Sequence, residues 1–490
     1  MESPKLPYRY KRNSMKKISL LICLLAFMHI SQAQSIVGIW QGFLGVGGRQ
    51  IRFVMHVEKT GNEYRSSFDS PDQNSFGLQG SKTDWVADSI LVEIKTMNAG
   101  YRGLWNGKDS IYGNFKQGNF KTALNMKRVE EKDIPKPPTV PVRPQTPKAP
   151  FGYLAEEVIY KNADSSLQYG ATFTKPSQGT NFPTVILISG SGTQDRDGTM
   201  FGHKTYAVLA DLLTKQGIAV LRVDDRGIGK SSLGPNPSKL TSVDFAGDVN
   251  NSIHYLMSRP DVDKKKIGLI GHSEGGMIAP MVAVNNKQVA FIVLLAGPGQ
   301  KGLEIWNFQM IRSFESVNLS ASDKELADSL IINMNAPFAK YTDLSMVESE
   351  MKLAYANWKK SVSDDLEKKI FFISPQAGML AMAKQFQGGL AWLNYFLNYQ
   401  PSTNLEKLKI PVLALNGTFD IQVTSDENLL AIEAALKKGR NKKYEVHAIP
   451  GLNHLFQTAK TKVQTYDTID ETFSPEAANL IGAWILKTTH

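Results

Sequence analysis

Two hydrophobic periodicities divide this chain. From Ser35 to about Val129 the apolar residues come in short runs with partial alternation, as in Ile51-Arg52-Phe53-Val54-Met55-His56-Val57. That period belongs to strands with one face buried. Gly38-Ile39-Trp40-Gln41-Gly42 opens the stretch, and turn signals recur at Gly61-Asn62, Asn106-Gly107 and Gly118-Asn119. The last two lie between short aromatic runs such as Ser110-Ile111-Tyr112-Gly113-Asn114-Phe115. Such spacing predicts hairpins, and therefore an antiparallel all-β domain over 34–129, closed into a small barrel or sandwich.

After Phe151 strands and helices alternate instead. Strands are expected at Glu156–Tyr160, Tyr169–Thr174, Thr184–Ser189, Ile218–Asp224, Lys266–Ile270, Phe291–Ala296, Val412–Asn416 and Tyr444–Ile449. From the third onward they are continuous apolar runs, the signature of parallel strands covered on both faces. Helical patterns fall between them at Tyr206–Lys215, Val243–Met257, Glu274–Val284 and Ser425–Lys437. The fold class that follows is α/β, with a doubly wound, mostly parallel sheet over 151–490. The stretch from Gly297 to Pro411 is far longer than one crossover helix requires. Its helix-forming segments (Ala321 to Ile332, Met346 to Ser361, Ala377 to Phe386) predict an inserted helical cap at about 298–400.

Between the two patterns, residues 130–150 contain Pro135, Pro137, Pro138, Pro141, Pro144, Pro147 and Pro150. That density predicts a stiff extended linker. At the other end, Lys16-Lys17 precede an apolar run from Ile18 to Ile30, and Ser31-Gln32-Ala33 is a small-x-small site before Gln34. The run is short for a membrane span, so residues 1–33 read as a cleaved signal peptide and the protein as periplasmic or secreted, with no stable membrane insertion afterwards. The only cysteine, Cys23, lies inside that run without small residues just before it. A lipoprotein anchor is not expected, and the mature chain would have neither a disulfide nor a thiolate nucleophile.

The formal charge of +10 on 490 residues invites thoughts of nucleic acid. Six of the 56 basic residues and one of the 46 acidic ones belong to the signal segment, which leaves 50 against 45 without long basic runs. No nucleic-acid partner is inferred. His56 reads as a strand residue rather than a ligand, and neither metal nor cofactor is implied. The tripeptide Gly229-Lys230-Ser231 is not a phosphate loop, because Asp224 stands where that loop needs its first glycine. Gly190-x-Gly192 likewise lacks the third glycine and later acid of a dinucleotide fingerprint.

The chemistry concentrates on Gly271-His272-Ser273-Glu274-Gly275. A strand runs into a Gly-x-Ser-x-Gly turn, and a helix starts at once, which is the context that presents a serine hydroxyl at the top of a sheet. A serine nucleophile needs a base and the base needs an orienting carboxylate. Three histidines follow Ser273. His490 is terminal, His447 falls inside the last strand, and His454 lies in the loop just after it, at the sheet's carboxyl edge. His454 is therefore the expected base. Asp420, in the loop after the preceding strand, is the expected carboxylate; Asp426 competes, but it sits at a helix start where an acid meets the dipole. The oxyanion donors are expected from the backbone N–H of Glu274 and of Ser191, with Gly192 as rival to the latter.

Residues 151–490 resemble the α/β-hydrolase superfamily. The resemblance rests on Gly271-His272-Ser273-Glu274-Gly275-Gly276, Asp225-Arg226-Gly227-Ile228-Gly229-Lys230-Ser231, Gly417-Thr418-Phe419-Asp420 and Asn453-His454, in family order. Ser189-Gly190-Ser191-Gly192 with Asp195-Arg196-Asp197-Gly198 is similar to a bacterial group of exported carboxylesterases placed near the serine aminopeptidases. Many relatives carry histidine where this chain has Ser189. The β region loosely resembles lipocalin-like domains that precede some bacterial hydrolases. The resemblance implies cleavage of a small acyl ester through an acyl-serine, with an aminopeptidase or amidase as the alternative and a non-catalytic ligand-binding protein as the more distant one.

Overall fold

The computed structural model describes residues 35–46, 49–73, 75–94, 99–117, 120–136, 143–312, 317, 319–370, 386 and 388–490. The signal segment, the Gly118-Asn119 turn and nearly all of the helix expected over Ala377–Phe386 lie outside them. The chain forms two compact units, Met1–Val140 and Pro141–His490.

The first unit is one antiparallel sheet. Its strands are β1 (Gly38–Val46), β2 (Arg49–Thr60), β3 (Glu63–Ser70), β4 (Ser75–Gln79) and β5 (Lys82–Val86). They continue as β6 (Ser89–Ile94), β7 (Ala99–Trp105), β8 (Ser110–Gln117), β9 (Phe120–Ala123) and β10 (Met126–Val129). The order is β4-β3-β2-β1-β10-β8-β7-β6-β5, with β9 on β8. The sheet curls so that β5 returns to β3, where the Gly80 N–H donates to the Ser66 carbonyl at 2.8 Å and the Ser66 and Thr83 hydroxyls meet at 2.7 Å. Alternation is plain in β8, where Ile111 and Phe115 face inward and Tyr112 and Asn114 outward. The interior is filled by side chains, with Phe53 packed on Phe68 and Phe115 at 5.3 Å between ring centroids. His56 is a strand residue, its Nε2 2.7 Å from Asp69.

The second unit begins with chain expected to be linker. Arg143 is buried, and its guanidinium donates to the carbonyls of Ile469, Asp467 and Phe201 at 3.0, 2.8 and 3.1 Å. Gln145 bonds the backbone of Thr472 and Phe473. The later prolines of 130–150 are thus tied to this unit. A buried guanidinium needs several acceptors, and the open carbonyls of the 467–473 stretch supply them.

Eight strands form its sheet: β11 (Tyr153–Lys161), β12 (Gln168–Pro176), β13 (Phe182–Ile188), β16 (Ala219–Val223), β17 (Val262–His272), β18 (Val289–Leu295), β19 (Val412–Gly417) and β20 (Tyr444–Ile449). A two-residue ladder, β14 (Thr199–Met200) with β15 (His203–Lys204), stands apart. The order is β11-β12-β16-β13-β17-β18-β19-β20, antiparallel for the first three and parallel from there on. Each buried strand feeds two cores by alternation. Val185 and Leu187 join the core under α1 (Thr205–Lys215) and the C-terminal helix Pro475–Thr489, while Ile186 and Ile188 join the one under α2 (Ser242–Ser258) and α3 (Gly275–Ala283).

Between β18 and β19 the chain leaves the sheet for the expected helical insertion. It forms α4 (Gly302–Arg312), α5 (Ala321–Lys340), α6 (Leu344–Lys359), α7 (Asp364–Ile370) and α8 (Leu390–Asn398). Ser320 and Asp343 cap α5 and α6 by accepting from Asp323 N–H and Ser345 N–H at 3.1 and 2.8 Å. The cap's apolar face, including Leu330, Phe338, Leu393 and Leu397, is continuous with the core of the α2–α3 side. No described helix is long and apolar enough to cross a membrane.

Candidate active site

The site starts from a steric constraint at the end of β17. Ser273 has φ +53°, in the left-handed region that side chains other than glycine rarely adopt. Strand and helix pass so closely there that a Cβ at Gly271 would strike the Gly275 carbonyl, and one at Gly275 would strike the Ile188 carbonyl. Only glycine fits either place. The Ser273 N–H donates to the Leu295 carbonyl at 2.9 Å, and the Gly276 N–H returns to the Ser273 carbonyl at 2.8 Å. The hydroxyl therefore stands at the sheet's carboxyl edge, beside the N-terminus of α3.

Two loops of the same edge bring an acid and a base together. In the loop after β19, Asp420 is buried, and its Oδ1 accepts from the N–H groups of Gln422 and Val423 at 2.8 and 3.0 Å. Its Oδ2 accepts from His454 Nδ1–H at 2.8 Å. A carboxylate with all three bonds fixes the imidazole's orientation and leaves Nε2 as the basic nitrogen. Nε2 makes no protein hydrogen bond among the described residues. His454 and Ser273 line one cavity of about 150 Å³, roofed by Ile305 and Trp306 of α4 and by Trp392 and Phe396 of α8. Asp426 instead lies in the first turn of the helix Ser425–Lys438, and His447 is an exposed β20 residue beside Glu445.

The loop after β13 closes the other side. Ser191 lines the Ser273 cavity, whereas Gly192 faces a different one. Among the described residues, the backbone N–H groups of Ser191 and Glu274 donate to no protein acceptor. The Gly190 N–H is engaged, donating to the Tyr206 hydroxyl at 3.3 Å. That hydroxyl reaches His272 Nδ1 at 3.4 Å, and His272 Nε2–H donates to the His454 carbonyl at 2.8 Å. A relay of three hydrogen bonds thus joins the loop after β13 to the loop that carries His454. Burial, then the neighbouring His454, pushes His272 down to about 3, so its imidazole stays neutral and keeps one donor and one acceptor.

The Asp-Arg-Gly segment after β16 organises the same loop. Asp225 accepts from the Ser189 hydroxyl and from Gln194 N–H, both at 2.8 Å, and Asp224 accepts from Arg196 N–H at 2.9 Å while pairing with its guanidinium at 2.6 Å. Ser189, the departure from the related pattern, is therefore tied down through its hydroxyl. Burial pushes Asp225 up to about 7. It also raises Glu274, whose carboxyl accepts from Ser242 at 2.7 Å and from the Trp392 indole at 2.9 and 3.1 Å. No Asp, Glu, Lys or Arg is among the described residues lining the Ser273 cavity. Nor do the described residues hold a group of three ligands for a metal ion.

Comparison with known proteins finds partial likenesses. Residues 200–333 match the family described as serine aminopeptidase, S33. Over 153 residues the chain is 29% identical to esterase EstD of Thermotoga maritima, a match covering 31% of this chain and 35% of that protein. The matched region is thus about a third of that relative's length. Among solved structures, an esterase of Pyrococcus furiosus is similar at 16% identity over 69% of this chain and 93% of that one, with a TM-score of 0.42. Est1E of Butyrivibrio proteoclasticus, solved with ferulic acid, is similar at 16% identity over 68% and 99%, with a TM-score of 0.40. The strand order, the elbow and the family match decide the fold. The second unit has the α/β-hydrolase fold.

All five residues expected at the site stand at this edge: Ser273, Ser191 and His454 on the cavity wall, Asp420 behind His454, and Glu274 with its carboxyl lining the neighbouring cavity. Sequence reading missed Tyr206, His272, Asp225 and Trp392 as supports. Asp225 and His272 sat inside recognised motifs, while nothing local marks Tyr206. The neutral His272 also makes a pH prediction. Its folded pKa is depressed below the ordinary 6.5, so the folded state binds fewer protons than the unfolded one and loses stability as pH falls from about 6.5 towards 3. His272→Gln can keep the bond to the His454 carbonyl without that liability. Its melting temperature, measured against wild type from pH 7 to pH 4, should gain steadily on wild type as pH drops; parallel curves would contradict the burial argument.

Proposed function

We propose that the hydrolase cleaves carboxylic esters through an acyl-serine intermediate. The observation that carries this reading is a largely apolar cavity with no Asp, Glu, Lys or Arg among its described lining residues. Ser273, His454 and Ser191 line it, His454 Nδ1 is engaged by Asp420, and the undonated N–H of Glu274 directly follows Ser273 in the chain. His454 takes the proton of Ser273 as the oxygen attacks the acyl carbon. The carbonyl oxygen, now negative, is held by the N–H groups of Glu274 and Ser191. Collapse breaks the ester bond, and His454 hands its proton to the departing alkoxide. Water then repeats the sequence on the acyl-serine and releases the acid. Asp420 holds the Nδ1–H tautomer and offsets the imidazolium charge.

The same groups could cleave an amide, but an aminopeptidase must also hold a free ammonium, and that takes a desolvated carboxylate at the site. Among the acids of the cap, Glu304 accepts from the Lys301 N–H at the start of its own helix, Glu348 faces Lys352 at 4.0 Å, and Glu350 takes the Tyr341 hydroxyl at 3.3 Å. None of these three lines the cavity. Glu315 lies outside the described residues. Neutral esters are accordingly the substrate class we favour, and the β unit is proposed to orient or present larger ones.

Aryl esters and aminoacyl anilides assayed with one purified preparation test the assignment. Esters should turn over well, with no requirement for a free amine; strict preference for a free amino terminus would reverse it. Asp420→Asn should lower kcat on the order of 10⁴-fold, by analogy with the orienting acid of other triads, and Asp426→Asn should have little effect. The reverse ranking would mean that a different carboxylate orients His454.

Export is part of the proposal, because Ser31-Gln32-Ala33 fits a signal-peptidase site. Mass spectrometry of the chain recovered from periplasm or medium should give Gln34 as its first residue. An intact segment containing Cys23 in the membrane fraction would contradict cleavage.

A further inference from the structure

A second cavity, of about 320 Å³, adjoins the Ser273 cavity and is not used by the chemistry above. Gly190 and Trp392 line both. Gly190 marks the boundary: a Cβ there would stand 3.1 Å from the Ser273 Cβ, so the second cavity comes within one residue of Ser273. Its walls are Ile188 at the end of β13, Leu233 and Leu240 from the segment before α2, Phe245 and Val249 on α2, and Ile278 on α3.

The polar groups at its edge are already occupied. Asp225 is held by Ser189 and Gln194, and Asp248 by the Arg226 guanidinium at 2.7 Å and the Tyr169 hydroxyl at 2.6 Å. Glu274 is held by Ser242 and Trp392. What remains to meet a ligand is mostly hydrocarbon. Size separates the two spaces as well. A cavity of about 150 Å³ accommodates a benzene-sized group, so the Ser273 cavity alone has no room for a long acyl chain beside the leaving group. The second has roughly twice that capacity, on the order of a dozen carbons. Burial raises both Asp225 and Glu274, the direction expected of carboxyls held away from water.

We propose that this second cavity is the acyl compartment of the Ser273 site, taking uncharged apolar acyl groups of medium length or a bicyclic aryl group. The proposal rests on the esterase reading. An acyl carbon at Ser273 would direct its chain past Gly190, along the Trp392 indole that Glu274 fixes, and over Phe245 and Ile278. Ile278 and Phe245 then set how much chain is accommodated, and they are specificity residues that touch neither the nucleophile nor its base.

The test is a series of p-nitrophenyl esters from acetate to dodecanoate, run on the full chain. Wild type should favour octanoate over acetate by about ten-fold or more in kcat/KM. Ile278→Trp, which fills the cavity, should lower the octanoate-to-acetate ratio at least ten-fold. Phe245→Ala, which enlarges it, should move the optimum to longer chains. A second readout separates this proposal from the esterase reading: octanamide binding to Ser273→Ala, measured by calorimetry, should vanish when Ile278→Trp is added. A chain-length profile that neither variant moves would overturn the proposal, as would octanamide binding indifferent to Ile278→Trp. A preference for α-aminoacyl esters that Asp225→Asn or Glu274→Gln abolishes would also overturn it, by showing an ammonium site instead. If no ester is hydrolysed, the esterase reading falls, and the calorimetric result still decides whether the cavity takes an acyl group.

Discussion

The close passage of β17 and α3 at Ser273 is the constraint on which the rest of the site depends. With Gly271 and Gly275 lacking side chains, the strand reverses directly into the helix, and Ser273 is held at φ +53°. Three consequences follow from that one turn. The hydroxyl is lifted clear of the sheet into a cavity. The next N–H, that of Glu274, is left without a protein acceptor. The Glu274 side chain is sent the other way, into the interior, where it meets Ser242 and Trp392. Strain at a single residue thus separates the reacting atoms from the groups that brace them.

Bracing is done mainly by buried and half-buried carboxylates, each with enough donors to make its placement tolerable. Asp420 has three, Asp225 has two, and Asp224 and Asp248 each have an arginine fork as well as hydrogen bonds. Removing one partner of such a buried pair typically costs about 3–5 kcal/mol, because the other charge is left uncompensated. The payoff is positional: Asp224 and Asp225 lie on the loop after β16 yet fix the loop after β13, whose Ser191 faces Ser273. The Tyr206–His272 relay crosses the sheet edge in the opposite direction and meets the His454 loop. Nucleophile, base and donors are therefore tied to one another through the protein, independently of substrate.

Much of this was legible in the sequence because it is written locally. All eight strands of the second sheet were visible in the sequence, those from the third onward as continuous apolar runs, and the motifs at residues 271–276 and 417–420 each sat at a strand's end. Asp420 and His454 could be chosen over Asp426 and His447 because loop, helix start and strand differ in local pattern. Long-range contacts left no such trace. Arg143 lies in a proline-rich stretch that reads as linker, and the carbonyls of Phe201, Asp467 and Ile469, the last two more than 320 residues away, make it part of the second unit. Tyr206 sits in an ordinary amphipathic helix, and Trp392 in an aromatic stripe that core packing alone would explain. The second cavity is a property of how α2, α3 and α8 meet, which no single segment encodes.

The central claim is that the oxygen at residue 273 forms the covalent bond to substrate. Inactivation of the full chain by a fluorophosphonate, followed by peptide mass spectrometry, measures it directly. The account predicts one adduct per chain, on the peptide that contains Ser273, with loss of ester hydrolysis in step with labelling and no adduct on Ser273→Ala. Stoichiometric inactivation with the adduct on another residue, or undiminished ester hydrolysis by Ser273→Ala, would contradict it.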